Sequence, residues 1–450
     1  MTHNLSSLNS MLRSFKKVLC LLFALAGIQQ VDAFSLLGPK EVWQIPSIGF
    51  APNEIGGSRN VGDEYRINTP VVTYAFHPSF VDYFGTNGIK AVDQAIALLN
   101  KLPRVSRASA DLSEFLTDDA ARSHERAGAL NLIDLKSTAL SILIEHMGLS
   151  GEQHVFDLRQ RTPLPGTCIF AYTTIVRNFD PVTFSVSRYV NGTTYTYEIF
   201  DTCPDAPGGE AVELVVDPTD FAFNAVASFF QSGVIGSYFL NLTRDDVGGL
   251  RYLYRKNNLN EESLPTNAFP VLSGSPWQPI DPFGTNTFAT NTLAVRGGIE
   301  KVTYRKVNFT VPFGTEFKPR VQSYKLPLGS GGSQSVRRLV DVPDILFMAE
   351  DLADPNPSAN PFFNPVLTRR SNIYVDNPSP DDGPGVIIPQ TTITFNKLGP
   401  FFRNITPSFL YEESFNGFVW GSFDGTTNDP IVYPEGTNVR DIEDLVLQGN

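Results

Sequence analysis

The first 33 residues decide in which compartment this chain folds. Three basic residues precede an uncharged apolar stretch at positions 18–26, and Val31 and Ala33 stand at the −3 and −1 positions before Phe34. Signal peptidase requires small residues at these two positions. The apolar stretch has about ten residues, whereas a membrane-spanning helix needs about twenty. The sequence therefore predicts a cleaved signal peptide at 1–33 and a mature chain that is secreted or held at the cell surface.

The charge of the mature chain limits its partners. Loss of residues 1–33 removes three basic residues and one acidic residue, which takes the net charge from −12 to −14. Such a chain repels nucleic acid and anionic membrane surfaces, so we expect neither as a partner. No later stretch is apolar enough to predict a membrane span. An extracellular protein, a glycan or further copies of the chain, joined through exposed sheet edges, remain as candidate partners.

Two cysteines remain in the mature chain, because Cys20 belongs to the predicted signal peptide. In an oxidising compartment, Cys168 and Cys203 most simply form one disulfide. The alternative is a pair of buried free thiols. Zinc binding is not expected from two cysteines so far apart, since zinc sites favour closely spaced pairs.

The organisation of the chain changes near residue 260. The part before it mixes helical and strand patterns, which predicts an α+β domain over residues 34–262. A polar run at 256–263 is typical of a linker. Beyond it, segments rich in Val, Ile, Thr and aromatic residues alternate with loops dense in Pro, Asn and Gly. We therefore predict an all-β domain over residues 265–450, with a β-sandwich or jelly-roll-like architecture.

Several local signals predict individual elements. Residues 71–76 read as a strand, residues 88–99 as an amphipathic helix, and residues 139–147 as a helix that is apolar on nearly all sides and hence buried. Asn191-Gly192 is a strong hairpin signal between predicted strands at 183–190 and 193–200. Thr243-Arg-Asp-Asp246 is close to a capping box and predicts a helix start.

Three of these segments together resemble a protease family. The segment 70–76 with its following helix resembles the opening strand and first helix of the matrixin-type metzincins. The segment 242–254, with an acidic pair before a Leu-Tyr ending, resembles their closing helix, and the buried helix at 139–147 stands where that family places its zinc helix. The resemblance covers about residues 70–254 and implies a metzincin-like scaffold.

The zinc motif that the resemblance implies is missing. The family needs HExxHxxGxxH, in which three histidines hold the metal and a glutamate activates water. If Gly148 is the motif glycine, the ligand positions are Ser141, Glu145 and Gly151, and the base position is Ile142. If His146 is taken as the second histidine, the other positions hold Ile142, Leu143 and Glu152. The resemblance therefore implies a scaffold without its catalysis.

Two functional hypotheses remain open at this stage. The first is a non-catalytic extracellular or cell-surface protein, structural or adhesive, that needs no cofactor. The alternative is a secreted hydrolase, in particular a divergent metalloprotease that uses His124, His146 and His154 as metal ligands. That alternative requires the fold to bring all three histidines to one ion.

Two further kinds of pattern, acidic stretches and glycosylation sequons, predict a functional site less specifically. The acidic stretches 376–383 and 424–429 could bind calcium through clustered oxygen atoms, but they match no EF-hand spacing and suit ordinary turns. Glycosylation sequons begin at Asn191, Asn241, Asn308 and Asn404.

Overall fold

The architecture was analysed in a computed structural model of the chain. The structure describes residues 34–36, 66–117, 121–149, 155–201, 209–220, 225–229, 235–262, 264–265, 267–271, 294–309, 317–350, 366–370, 391–397 and 419–448. The predicted signal peptide at 1–33 lies outside these residues, as do His154, Cys203, Asn404 and the acidic stretch 376–383.

The described elements are short strands and five α-helices. The helices are α1 (Pro78–Lys101), α2 (Glu125–Ala129), α3 (Leu135–His146), α4 (Arg244–Tyr254) and α5 (Val439–Gln448). The strands are β1 (Phe34–Ser35), β2 (Val71–Phe76), β3 (Ala121–Ser123), β4 (Leu132–Asp134), β5 (Phe156–Pro163), β6 (Phe170–Val176), β7 (Asn178–Phe179), β8 (Tyr189–Val190), β9 (Thr193–Phe200), β10 (Glu210–Val215), β11 (Ser237–Phe239), β12 (Leu259–Glu262), β13 (Ala268–Pro270), β14 (Ala294–Gly297), β15 (Thr303–Lys306), β16 (Arg320–Pro327), β17 (Ser333–Val340), β18 (Ile345–Glu350), β19 (Val366–Arg370), β20 (Thr391–Asn396), β21 (Val419–Ser422) and β22 (Ile431–Val432). The chain thus has a mixed α and β structure with many strands, as the sequence predicts.

The largest sheet within the described residues has five strands in the order β15-β2-β18-β20-β19. Strand β2 runs parallel to both β15 and β18, β18 runs parallel to β20, and only β19 is antiparallel to its neighbour. Parallel strands are usually buried on both faces and read as apolar runs. The sequence of β2, Val-Val-Thr-Tyr-Ala-Phe, fits this position, because five of its six residues are buried.

Helix α1 packs on this sheet and begins earlier than the sequence predicts. His77 caps its start, and Gly85 interrupts it with a backbone φ of 57°, so that two helical pieces meet at a kink. A Cβ atom at Gly85 would overlap the carboxyl group of Glu435. Glycine is therefore required there both for the left-handed backbone and for the close approach.

One aromatic cluster joins the sheet, α1 and the C-terminal strands. The ring centroids of Phe80 and Phe84 lie 4.7 Å apart, and those of Phe395 and Trp420 lie 5.5 Å apart. Phe84 and Phe395 connect the two pairs at 5.7 Å. Trp420 is fully buried, and its Nε1 donates to the Asn396 carbonyl at 2.8 Å. These contacts belong to one continuous core that runs from Phe34 to Tyr433.

The polar run at 256–263, where the sequence places a domain boundary, is partly buried. Asn258, Asn260 and Glu262 are all buried, and β12 in this segment pairs with β14. Strands from both sides of the predicted boundary share the central sheet, and residues 32–450 form one compact unit. The polar residues mislead because their burial depends on arginine partners far away in the sequence.

The expectation of an all-β structure over residues 265–450 also needs correction. Helix α5 lies in this part of the chain and buries Ile442 against Leu130, Val419 and Val432. Strands β15, β18 and β20 belong to the parallel sheet rather than to a separate sandwich. Within the described residues no helix is long and apolar enough to cross a membrane.

A smaller β lobe has its own core. The β5–β6 hairpin packs with the sheet β8-β9-β10 around Phe156, Leu158 and Tyr195. The predicted turn at Asn191-Gly192 is confirmed, since both residues have positive φ and β8 pairs antiparallel with β9. The predicted strand at 183–190 is wrong except for β8 (Tyr189–Val190), and Phe184 in this segment has a φ of 60°, outside the extended region.

Candidate functional site

Helix α3 occupies the position where the family resemblance places a zinc helix. Asp134 caps its start by accepting from the Ser137 N–H at 2.8 Å, and Gly148, with a φ of 111°, follows its end. Ten of its twelve residues are buried; the exceptions are Lys136 and Glu145. The prediction of a helix apolar on nearly all sides is confirmed, although it begins four residues earlier than expected.

Two residues of α3 at the motif positions, Ser141 and Ile142, make core contacts. The Ser141 hydroxyl donates to the Ala227 carbonyl at 3.1 Å, and Ser141 and Ile142 are each 1% exposed. Ala227 belongs to a short 3₁₀ turn, Val226–Ser228, that covers this side of the helix. Asp246 of α4 fixes that turn by accepting from the Val226 N–H at 3.1 Å and the Ala227 N–H at 3.0 Å. The side of α3 that carries Ser141 and Ile142 is therefore covered.

The same Asp246 confirms the capping box. Its side chain accepts from the Thr243 N–H at 3.0 Å, and the Thr243 hydroxyl caps the start of α4. Burial raises the pKa of Asp246, against the opposing effect of these donors. One carboxyl group thus starts a helix and also holds the turn that closes α3.

The two candidate histidines among the described residues, His124 and His146, lie on different elements. His124 caps the start of α2, with its Nδ1 accepting from the Ala127 N–H at 3.1 Å, and its ring lies 5.6 Å from that of Phe423. His146 is buried at the end of α3, where its Nδ1 donates to the Ile142 carbonyl at 2.9 Å. In the part of the chain that the structure describes, no group of three His, Cys, Asp or Glu side chains could hold a metal ion. Because His154 lies outside that part, metal binding by the three histidines stays a prediction.

A buried carboxyl group that the sequence reasoning missed lies at the end of β4. Asp134 stands at the carboxyl end of β4, beside the parallel strand β21, and burial raises its pKa. The Ser137 hydroxyl donates to its Oδ2 at 2.6 Å and accepts from the Phe239 N–H at 2.8 Å. These contacts make Asp134 and Ser137 a helix cap that also holds β11. An Asp three residues before a Ser, at the start of an apolar run, was the signal that could have identified this cap.

The acidic stretch 424–429 has the contacts of a turn. The Asp424 carboxylate accepts from the Thr426 N–H at 2.9 Å, while Asp429 forms an ion pair with Arg126. Arg126 also pairs with Glu443 at 2.8 Å, which ties α2 to α5. The two carboxylates therefore have separate partners. Calcium binding at 376–383, outside the described residues, stays a prediction.

The pairing of Cys168 with Cys203 stays a prediction, because Cys203 lies outside the described residues. Cys168 is disulfide-bonded, and its partner lies outside the described residues. Asp201 stands two residues before Cys203, and it accepts from the Phe170 N–H at 3.1 Å and the Tyr172 hydroxyl at 2.9 Å. Phe170 stands two residues after Cys168, so these contacts place Asp201 beside the chain that follows Cys168. They support Cys203 as the partner.

We expect the Cys203→Ser variant to lose about 3–4 kcal/mol of unfolding free energy, because a loop of about 35 residues is then no longer closed in the unfolded chain. Chemical denaturation of the oxidised mature protein measures this loss, with Cys168→Ser as the matched control of equal expected effect. A non-reducing peptide digest should contain one linked pair with positions 168 and 203. Two free thiols in the folded protein would contradict the pairing.

The sequons differ in exposure. Asn191 is fully buried, and its side-chain oxygen accepts from the Asp245 N–H at 3.3 Å, so a glycan does not fit there. Asn241 and Asn308 are exposed.

Comparison with models of known protein families finds no match, and searches of curated proteins and of solved structures also return none. The resemblance to the metzincins therefore rests on the residues described above.

Proposed function

We propose that this chain is a secreted or cell-surface protein with a structural or adhesive role, built on a protease-like scaffold without zinc ligands. The observation that supports this most directly is the packing of α3. A catalytic zinc site keeps one coordination position open to water and substrate. The side of α3 with Ser141 and Ile142 is instead covered by the 3₁₀ turn Val226–Ser228, and both residues are buried.

The proposal includes a metzincin-like interpretation of residues 70–254. Strand β2, helix α1, the buried helix α3 and the capped helix α4 follow one another in the order that the resemblance requires. A separate sandwich over 265–450 is not part of the proposal, because β15, β18 and β20 share a sheet with β2.

Metal content tests the proposal against the divergent metalloprotease. We expect the mature protein, purified from a secreting host and dialysed with one equivalent of zinc, to retain no tightly bound ion in native mass spectrometry. The reason is that His124 and His146 each use Nδ1 for a local hydrogen bond on different helices. A peptide library incubated with the same sample should remain uncleaved.

The control is the double variant His124→Ala and His146→Ala. One zinc per chain in the parent protein and none in this variant would overturn the proposal, as would peptide cleavage that the variant lacks. Thermal unfolding of the variant shows whether it is folded, so that loss of structure is not mistaken for loss of a ligand.

A further inference from the structure

Two arginines on α4 and at its C-terminal end share an aromatic platform. The guanidinium carbon of Arg255 lies 4.4 Å from the ring centroid of Phe184 and 4.5 Å from that of Tyr252. The guanidinium carbon of Arg251 lies 5.4 Å from the same Phe184 ring. Cation–π contacts at such distances orient a guanidinium group and hold it in place.

Among the described residues, no acceptor faces the donors of the Arg255 side chain. Its side chain makes no hydrogen bond or ion pair within the described residues, and its Nε is buried without a partner. Buried polar groups are almost always hydrogen-bonded. The chain follows this rule at Arg66 and Arg338, each of which pairs with a buried carboxylate. Arg255 is an exception on the same molecule.

Arg251 supplies a second positive charge, and its hydrogen-bond partners within the described residues are neutral carbonyl groups. Its Nη1 donates to the carbonyls of Ser109 at 3.0 Å and Ala110 at 2.9 Å. Its Nη2 donates to the carbonyl of Pro181 at 2.6 Å. Its Nε is buried and has no hydrogen-bond partner among the described residues. Burial lowers the pKa of Arg251, and the neighbouring charge of Arg255 acts in the same direction. The charges of Asp180 and Glu114 raise the pKa of Arg251, but neither carboxylate is close enough to form an ion pair with it.

The platform is held by a strained backbone. Phe184 has a φ of 60°, which is unusual for a bulky residue. The Phe184 N–H donates to the Asp180 carbonyl at 2.8 Å, and the Asp180 N–H donates to the Ser185 carbonyl at 2.7 Å. This loop places the ring of Phe184 within reach of both guanidinium groups.

The chemistry selects the ligand class. A stacked guanidinium group is fixed in its plane and presents donors in a fork that matches the two oxygens of a carboxylate. The net charge of −12 repels polyanions, so a single carboxylate on an otherwise uncharged molecule fits better than a sulfated or phosphorylated polymer. Val186 is 61% exposed and forms an isolated β-bridge with Phe179. The ring of Phe179 stacks on the ring of Tyr252. An apolar surface therefore borders the donors.

We propose that Arg255, stacked on Phe184 and Tyr252 beside Arg251, binds the carboxylate group of a small, otherwise uncharged ligand. This gives the proposed adhesive role a ligand class and rests on that role for its biological meaning. The binding itself can be measured whether or not the chain is an enzyme.

Titration of the full mature protein with glucuronate at low salt, followed by NMR or calorimetry, tests the site. We expect saturable binding that the neutral sugar glucose does not show, and a loss of affinity of at least about tenfold in Arg255→Gln. Arg255→Lys keeps the charge without the fork and should lose affinity as well. The matched control is Lys256→Gln, which removes the neighbouring exposed cation and should change affinity less than about twofold.

A second titration with N-acetylglycine identifies the source of the carboxylate. Binding of both ligands through Arg255 supports recognition of the carboxylate alone, and binding of glucuronate only supports an acidic sugar. The proposal is overturned if neither ligand binds, or if Arg255→Gln, folded as judged by its thermal unfolding, binds as well as the parent protein. Such a failure would leave the metal and cleavage results of the proposed function unchanged, so the two failures are distinguishable.

Discussion

A fragment of residues 265–450 is expected to show no cooperative unfolding transition when it is produced without residues 34–262. The reason is the position of β2, which lies between β15 and β18 in the central sheet. Without β2, strand β15 has no neighbour in the sheet. The backbone hydrogen bonds between the two segments are then lost, for example those from the Thr303 N–H to the Pro70 carbonyl and from the Val307 N–H to the Tyr74 carbonyl. Unpaired backbone groups in a buried sheet are costly.

Side-chain contacts across the predicted boundary point the same way. Asp344 accepts from the Thr73 N–H at 2.8 Å and from the Thr73 hydroxyl at 2.9 Å, and all these groups are buried. Lys301 donates to the carbonyls of Asn100 and Leu102 at the end of α1. The fragment would also expose Phe347, Phe395 and Trp420, which pack on the rings of α1.

Far-UV circular dichroism during thermal and denaturant unfolding measures this prediction. The intact mature chain is the control and should unfold with the sheet and the α1 region in one transition. Mixing the fragment with one of residues 34–262 should restore part of the signal, because the missing strand is then supplied by the other fragment. A steep unfolding transition of the 265–450 fragment alone would show that this part folds by itself and would contradict the prediction.

Glu262→Ala is expected to lower the unfolding free energy by about 3–5 kcal/mol, the usual cost of removing one partner from a buried ion pair. Glu262 accepts from Arg66 Nε at 2.6 Å and from the Asn68 amide, and both side chains of the ion pair are fully buried. Burial raises the pKa of Glu262 even beside Arg66 and Arg296, so the cost of removing water from this charge exceeds the attraction. Without Glu262, the buried guanidinium group of Arg66 would lose the carboxylate with which it forms an ion pair.

The other bonds of this network show why the loss cannot be repaired locally. Arg66 also donates to the carbonyls of Leu253 at 2.7 Å, Asn258 at 3.0 Å and Arg296 at 3.0 Å. These bonds fix the guanidinium group in place, so it cannot turn toward solvent when its carboxylate is removed. Arg66 thereby joins the segment before β2 to the end of α4 and to β14.

Denaturant unfolding of the oxidised mature protein measures the change, and an exposed ion pair supplies the control. Lys306 pairs with Asp93 at 2.7 Å on the surface, so Lys306→Gln should cost less than about 1 kcal/mol. Equal losses in the two variants would mean that burial does not set the energetics of Glu262. A loss below about 1 kcal/mol in Glu262→Ala would contradict the prediction.

The local structure was predictable wherever neighbouring residues determine it. The hairpin at Asn191-Gly192 needs two residues with positive φ, which this pair adopts readily, and the cap at Thr243 needs a side chain three residues away. The burial of α3 followed from its apolar residues on all sides. The strand predicted through Phe184 failed because the ring belongs to an aromatic cluster with Phe34 and Tyr252, which overrides its β propensity.

The candidate site was less predictable than the elements that form it. The missing zinc motif could be read from the sequence, but the turn that covers Ser141 could not, because Ala227 stands 86 residues away in the chain. The arginine platform left no sequence signal, since it depends on where a loop residue, Phe184, meets a helix end, Arg255. Both arrangements arise only after the chain has folded.

The sequence by itself determined the acidic charge, the mixture of helices and short strands, and the residues that start and end several of them, because these properties depend on composition or on contacts within a few residues. Tertiary structure alone decided that residues on both sides of 256–263 share one sheet and one core. That polar segment reads as a linker, but Arg66 and Arg296 satisfy its buried groups from 196 and 34 residues away. A polar residue is exposed or buried according to the partners that the fold brings to it, and single-sequence patterns do not contain that information.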